Sequence, residues 1–251
     1  MLEAILKGKL SREQENMEDI LTSNVFGLLQ YLSPEKGLLP FLGQAQQVDG
    51  ARPLADLPSS TTAEMKFWPW QEYGECLGCE PDVLLWLVLP DGTRQIVLIE
   101  SKLWSGKSSY PDPSRPAPVD QLAREWDNLV RLAQVEKAKP VLLYVTADLD
   151  CPVASIRESH VEFQQKRTRL AEQFPFSCAW LSWRKLTTLW ESPTHKIQED
   201  LALLASRLGL SYYGGITCFG PVADADWCFG SPAIVFDWAA DTLAGDWRFA
   251  R

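Results

Sequence analysis

The sequence predicts an α/β protein in which helices cover both faces of a central mixed β-sheet, in three layers. Two observations predict this class. The strand candidates are apolar on both faces, as in the uninterrupted run of seven apolar residues from Val83 to Leu89 and in Pro140 to Ala147 (PVLLYVTA). Such strands are buried on both sides. They alternate with segments whose apolar residues recur at helical spacing, which favours a sheet between helical layers.

The first predicted helix begins at Ser11 and runs to about Tyr31, before Pro34 and Gly37. Gln14 stands three residues after Ser11, the spacing of a capping box. The apolar stripe of this helix comprises Met17, Leu21, Val25, Leu28 and Leu32.

The strongest strand signals follow a predicted loop over residues 43–63 and a short aromatic strand candidate from Met65 to Trp70. Val83 to Leu89 and Gln95 to Glu100 flank the turn sequence Pro90-Asp91-Gly92. Two apolar runs on either side of such a turn predict a β-hairpin.

The remaining elements alternate along the chain. A loop from Ser105 to Pro118 precedes a helix whose apolar residues are Val119, Leu122, Trp126, Leu129 and Ala133. After this helix the pattern predicts a strand over 140–147, a helix over 156–170, a strand over 176–183 and a helix over 197–208. Residues 1–210 are therefore expected to form one domain. Residues 211–251, rich in glycine and aromatic residues, are expected to form an extension that packs on this domain or provides a partner surface.

Composition excludes several classes of protein. The 251 residues are 46% hydrophobic and 23% charged, which is typical of a globular chain rather than a disordered or fibrous one. No apolar run approaches the roughly 20 residues of a membrane span, and the first residues do not resemble a signal peptide. Six cysteines without a secretory signal are typical of reduced thiols, so a cytoplasmic location is expected. The net charge of −9 disfavours nucleic-acid binding driven by bulk charge, although a local basic groove is compatible with it.

Three charged residues stand at the ends of the two predicted hairpin strands. Glu100 and Lys102 share a face at the end of one strand, because side chains at positions i and i+2 point the same way. Asp82 begins the neighbouring strand, so hairpin pairing would bring it close to both. Charged side chains are seldom buried unless they are paired or bind a metal ion. Two carboxylates supply the oxygen ligands that Mg²⁺ prefers, and the lysine can orient or deprotonate a water or stabilise a transition state.

A third carboxylate, Glu18, is predicted to point inward from the first helix. At 100° per residue it lies within about 40° of the centre of the apolar stripe. An inward carboxylate needs a partner, and reaching the same metal site would supply one.

These residues resemble a known family. Glu80-Pro81-Asp82 followed by Glu100-Ser101-Lys102 resembles the signature of the PD-(D/E)XK nuclease superfamily, which has the restriction-endonuclease-like fold. The predicted order of elements over residues 11–147 also resembles that fold's core of a helix, a three-strand meander, a helix and a further strand. The resemblance implies a restriction-endonuclease-like core and divalent-metal-dependent hydrolysis of nucleic-acid phosphodiester bonds.

The resemblance also implies a role for each matching residue. Asp82 and Glu100 would bind Mg²⁺, for which Mn²⁺ would substitute, and Lys102 would act on the attacking water. The backbone carbonyl of Ser101 would be a further metal ligand, and Glu18 would match the helix acid that many members use.

Many members also place a glutamine near the site on the following helix, and Gln121 is the candidate here. In one large subset the residue four positions later is aromatic. In this chain it is Glu125, and Trp126 follows.

Four residues near the presumed site are candidates for contact with DNA phosphates: Lys107, Ser108, Arg115 and Arg124. Residues 104–108 (WSGKS) suggest a phosphate-binding loop, but position 101, where that motif requires glycine, is serine. Each of the four is expected either to contact a phosphate or to lie in solvent.

The cysteine pattern is compatible with zinc but does not favour it. Cys76 and Cys79 form one CxxC pair, whereas a closed structural site needs four ligands. Cys218 and Cys228 would have to complete it from far along the chain, so structural zinc is not expected.

Neither histidine is expected to be catalytic. His160 lies on the apolar stripe of its helix and His195 follows a loop proline, in both cases without a metal-type partner nearby. A histidine-based nuclease or a serine hydrolase is therefore not favoured.

The predicted function is Mg²⁺-dependent cleavage of DNA in the cytoplasm, by water attack on phosphorus with in-line displacement of the 3′ oxygen. A bacterial restriction or phage-defence system is the expected setting. The sequence contains no recognisable DNA-reading motif, so targeting is expected from a homodimer or from a protein partner such as a helicase or other ATPase. Two alternatives stay open: a catalytically silent module of the same fold that holds a protein partner through its C-terminus, and an RNA-directed nuclease. No membrane partner is expected.

Overall fold

The part of the chain that the structure describes covers the whole predicted sheet. The structure is a computed structural model that describes residues 13–190 and 192–212, with side chains from residue 18 onward. The predicted helix start at Ser11, nearly all of the aromatic extension and the cysteines Cys218 and Cys228 lie outside the described residues.

A six-stranded mixed sheet with the order β1-β6-β5-β4-β3-β2 forms the centre of the fold. Its strands are β1 Gln46–Gln47, β2 Thr62–Phe67, β3 Val83–Val88, β4 Arg94–Ser101, β5 Lys139–Thr146 and β6 Cys178–Ser182. Strands β2, β3 and β4 pair antiparallel, β4, β5 and β6 pair parallel, and β1 pairs antiparallel with β6. The predicted α/β class and mixed sheet are confirmed.

Helices flank both faces of this sheet, consistent with the predicted three layers. They are α1 Glu13–Leu29, α2 Leu38–Leu42, α3 Gln121–Glu136, α4 Val153–Lys166, α5 Thr168–Gln173 and α6 Lys196–Arg207, with short 3₁₀ turns at Pro34–Lys36 and Trp183–Thr187. Residues of α1, α2 and α6 pack with one set of alternating strand residues, including Val97 and Ile99. Residues of α3 and α4 pack with the other set, including Ile96 and Leu98. The continuous apolar runs thus supply two cores, because successive strand side chains point to opposite faces.

Strand β2 ends earlier than the aromatic pattern predicts. It stops at Phe67 rather than Trp70 because Trp68 takes a left-handed conformation, with φ of 46°. Pro69, which has no amide hydrogen to donate, follows directly. The bend turns the indole of Trp68 back toward the start of β3.

Two other segments also differ from the prediction. The helix predicted over 156–170 is two helices, because the chain leaves the helical conformation at Arg167. The predicted loop over 43–63 contains β1, whose pairing with the distant β6 is not visible in local sequence.

The hairpin of β3 and β4 sets the geometry of the candidate site. Its turn uses Gly92 at a φ of 82°, a conformation that glycine adopts without strain. The register places Val83 opposite Ile99, so Asp82 and Glu100, one residue further, meet at the same end of the hairpin. Strand β5 runs parallel beside β4 and pairs Tyr144 with Glu100.

Within the described residues, the structure contains no helix with the length and apolar character needed to cross a membrane.

Candidate active site

Asp82 and Glu100 are both buried at the end of the hairpin, with 7% and 3% of their surface exposed. Three hydrogen bonds hold the Asp82 carboxylate. Its Oδ1 accepts from Trp68 Nε1 at 3.1 Å, and its Oδ2 accepts from the backbone N–H and the hydroxyl of Ser101 at 2.8 and 2.7 Å. The Ser101 hydroxyl also contacts that of Thr22 on α1. Two segments of the chain, at Trp68 and at Ser101, therefore fix the orientation of Asp82, and Thr22 on α1 contacts the second of them.

Lys102 joins the hairpin to helix α1. Its Nζ lies 2.7 Å from Glu100 Oε1 and 3.0 Å from Glu18 Oε1. The second oxygen of Glu18 accepts from the Leu103 N–H at 3.0 Å and from the Ser105 hydroxyl at 2.8 Å. Glu18 thus points inward, as its helical phase predicts, and it fastens the segment that follows β4.

Gln121 reaches the same carboxylate from the other face of the sheet. It is the first residue of α3, after Asp120, whose side chain caps the helix by accepting from the Ala123 N–H. Its Nε2 donates to Glu100 Oε1, and its Oε1 accepts from the Ser108 N–H at 2.7 Å. Gln121 therefore contacts Glu100 from the face of the sheet opposite α1 and also holds the backbone of Ser108.

The burial of this cluster changes its acid–base behaviour. Burial raises the pKa of Glu100 to about 7, and the negative charge of Asp82 adds to the shift while Lys102 opposes it. Burial lowers the pKa of Lys102, but the carboxylates of Glu100, Glu18 and Asp82 more than offset this effect and leave the pKa above its usual value. Lys102 is accordingly an ammonium at neutral pH and acts as a donor, not as a base, in this arrangement.

Sequence reasoning missed a further carboxylate, Glu125. Its surface is only 1% exposed, and burial followed by the charge of Glu100 raises its pKa well above the usual value. Glu125 lies between Leu122 and Leu129 on the apolar stripe of α3. This position between two leucines of the stripe is the signal, visible in the sequence, that the Glu125 carboxyl is buried.

The surroundings of Lys107 differ from those expected of a residue that contacts a DNA phosphate. Its side chain has no exposed surface and forms an ion pair with the equally buried Asp120. Its Nζ also donates to the Ser155 carbonyl at 3.1 Å and to the Ser159 hydroxyl at 3.2 Å. Because the Lys107 side chain has no exposed surface with which to meet a phosphate, the expectation that it contacts DNA is corrected: this residue anchors its loop to α3 and α4.

The other candidate phosphate contacts have different surroundings. Ser108 and Arg115 are exposed, and the backbone N–H of Ser108 is occupied by Gln121. Arg124 is half-buried on α3, and its Nε is buried without an acceptor among the described residues. Their contacts with phosphate stay predictions.

Both members of the CxxC pair are buried, reduced thiols. Burial is the largest cause that raises the pKa of Cys76, to about 12, and burial raises the pKa of Cys79 further. Thiols with such pKa values are unreactive at neutral pH.

The two histidines have contacts typical of structural residues. His160 stacks on Phe176, with ring centroids 5.5 Å apart. His195 precedes α6 and shares a capping box with Gln198.

The site offers carboxylate oxygens for a metal ion, but the ammonium of Lys102 pairs with two of the carboxylates. No three histidine, cysteine, aspartate or glutamate side chains in the described ranges are grouped so that they would hold a metal ion as they stand. The ammonium of Lys102 lies between Glu18 and Glu100 instead. Ser101 stands between the two signature residues, with its N–H and hydroxyl both directed at Asp82.

Comparison of the chain with protein families, with curated proteins and with solved structures found no match.

Proposed function

We propose that the chain is a divalent-metal-dependent nuclease of the PD-(D/E)XK type that hydrolyses DNA phosphodiester bonds, in a bacterial restriction or phage-defence system. One observation carries the proposal: Asp82, Glu100 and Lys102 converge at one end of the central hairpin. Glu18 joins them from a helix on one face of the sheet, and Gln121 from a helix on the other. A structural ion pair requires two such residues, whereas this site collects five from both helical layers.

The charge of the site fits a divalent cation. Four carboxylates, Glu18, Asp82, Glu100 and Glu125, surround one ammonium and one guanidinium, those of Lys102 and Arg124. Full ionisation would leave a formal charge of −2 in a largely buried space. Buried charges are paired or coordinate metals, and carboxylate oxygens are the ligands that Mg²⁺ and Mn²⁺ prefer. Asp82 and Glu100 would hold the cation, with the Ser101 carbonyl as a further ligand.

When bound, a divalent cation supplies charge stabilisation at phosphorus and a water of lowered pKa. The chain's own residues supply orientation and a fixed positive charge. The three hydrogen bonds to Asp82 hold one ligand in place, and Gln121 fixes the rotamer of the other, Glu100. Lys102, held by Glu18, presents an ammonium that stabilises negative charge on the reacting phosphate.

The test is cleavage of supercoiled plasmid in Mg²⁺ or Mn²⁺ by wild type and two matched pairs of variants. Asp82→Asn is compared with Asp200→Asn, and Lys102→Met with Lys196→Met. Asp200 and Lys196 are exposed and pair with each other on α6, so the controls remove the same groups from an exposed pair outside the site. We expect metal-dependent nicking that falls by about 10²-fold or more in the site variants and not in the controls.

Equal cleavage by Asp82→Asn and wild type would refute the assignment of the site. Matched DNA and RNA substrates, single-stranded and duplex, run in the same assay distinguish DNA from RNA as substrate. This comparison is necessary because the chemistry of the core does not discriminate between the two sugars.

A second candidate function is a catalytically silent module of the same fold that holds a protein partner. The ion pairs of Lys102 with Glu100 and Glu18 favour it, because they satisfy the charged groups without a metal. Calorimetric titration with Mn²⁺ separates the two functions. A nuclease that awaits a partner binds the ion through Asp82 and Glu100, whereas a silent module does not.

A further inference from the structure

A buried carboxylate of α3 is directed at the candidate metal site. Gln121 and Glu125 are four residues apart, about one helical turn, so they lie on the same face of the helix. The Gln121 side chain donates to Glu100, and the Glu125 carboxyl lies beside the same carboxylate and interacts with it directly. Helix α3 therefore adds a fourth carboxyl group to the site, from the face of the sheet opposite α1.

One oxygen of the Glu125 carboxyl lacks a donor, while the group also hydrogen-bonds with the Glu100 side chain. The Oε2 of Glu125 is buried and has no hydrogen-bond partner among the described residues. The ammonium of Lys102, which acts electrostatically on Glu125, is already shared by Glu100 and Glu18. The guanidinium of Arg124 does not resolve the deficit, because its own Nε is also buried without a partner in the described part of the chain.

Two buried carboxylates side by side need a positive group between them. A buried anion without a partner costs several kcal/mol, and isolation of Glu125 from solvent leaves it no water shell. Either a proton or a cation can neutralise the pair. The oxygen-only donor set, the formal excess of negative charge and the adjacent Asp82 favour a divalent cation of the Mg²⁺ or Mn²⁺ type.

We propose that Glu125 is a further ligand of the divalent-cation site, together with Glu100 and Asp82. This inference rests on the proposed function, since it concerns the same site. It assigns a metal-binding role to a residue at which the signature motif places none. It also accounts for the burial of an acidic residue on the apolar stripe of an otherwise amphipathic helix.

The experiment is a calorimetric titration of the folded protein with Mn²⁺, with no nucleic acid present. Glu125→Gln removes the charge but keeps the size and can donate an amide hydrogen to Glu100. Glu136→Gln makes the same change at the other end of α3, where the side chain is partly exposed and pairs with Arg94. We expect the Kd for Mn²⁺ to rise about 10-fold or more in Glu125→Gln and to stay unchanged in Glu136→Gln.

Asp82→Asn is the reference for the loss of a metal ligand assigned under the proposed function. Unchanged Mn²⁺ binding by Glu125→Gln, with weakened binding by Asp82→Asn, would overturn the inference and leave the proposed function standing. Absence of both Mn²⁺ binding and cleavage in folded wild type would overturn both. If circular dichroism shows that Glu125→Gln does not fold, Glu125→Asp takes its place. This variant keeps the charge but shortens the side chain, so a raised Kd supports the inference and an unchanged Kd contradicts it.

Discussion

The buried ion pair between Lys107 and Asp120 is predicted to stabilise the fold by anchoring the loop that precedes α3. Both side chains are fully buried, and Lys107 has further acceptors in the Ser155 carbonyl and the Ser159 hydroxyl. Lys107→Met keeps the apolar stem and removes the charge, so the buried Asp120 carboxylate loses its cationic partner. Removal of one partner of a buried ion pair costs about 3–5 kcal/mol.

The lower end of that range applies here, because Asp120 also accepts the Ala123 N–H at 3.2 Å and keeps this bond in the variant. We therefore expect the free energy of unfolding to fall by about 3 kcal/mol. For a protein of this size the urea m-value is about 2–3 kcal/mol per M, so the unfolding midpoint should fall by about 1 M or more. Urea unfolding followed by tryptophan fluorescence measures it.

Lys196→Met is the matched control. Lys196 is 73% exposed and pairs only with exposed acids, so its loss should change the free energy of unfolding by at most about 0.5 kcal/mol. A loss of less than about 1 kcal/mol in Lys107→Met would refute the structural assignment. Unchanged stability together with weakened DNA binding would restore the role that the sequence suggested, contact with a phosphate.

Three further predictions concern other parts of the described structure. In metal-free protein the free energy of unfolding should fall as the pH rises from about 4.5 to about 7, because the raised pKa of Glu100 makes the folded state retain a proton that the unfolded chain releases. In Glu100→Gln the urea midpoint should fall less steeply with pH across this range. Identical pH dependence in the variant and wild type would contradict the raised pKa of Glu100. Gln121→Leu should lower the free energy of unfolding by about 1–3 kcal/mol, since the Ser108 N–H loses its acceptor. The control Gln165→Leu, at an exposed position of α4, should leave it unchanged. Equal stabilities of the two variants would refute the structural role of the hydrogen bond between Gln121 and Ser108. Cys76 in the folded protein should resist iodoacetamide at pH 8, where a pKa of about 12 leaves about one thiolate in 10⁴; peptide mapping against urea-unfolded protein tests this, and fast labelling of the folded state would contradict it.

The chain's local patterns predicted the framework of the fold. Two apolar runs around Pro90-Asp91-Gly92 predicted the hairpin, and its register puts Asp82 and Glu100 together. The phase of α1 predicted that Glu18 points inward, and its contacts with Lys102 confirm this orientation. These predictions succeeded because periodicity and turn chemistry are local properties of the backbone.

Other boundaries could not be predicted because they depend on distant partners. Strand β1 exists only as the partner of β6, which lies more than 100 residues further along the chain. Strand β2 ends where the chain bends at Trp68, and this bend lets the indole donate to Asp82. Neither event leaves a clear periodic signal in its own segment.

Tertiary structure decided the partners of several charged residues. Sequence determined which residues carry charge, and for Asp82 and Glu100 it also determined which end of the sheet they share. It did not determine that Lys107 is buried against Asp120, or that Glu125 faces Glu100. Burial and pairing depend on which helices pack over a side chain, because the cost of an unpaired charge arises only once neighbouring elements exclude water from it.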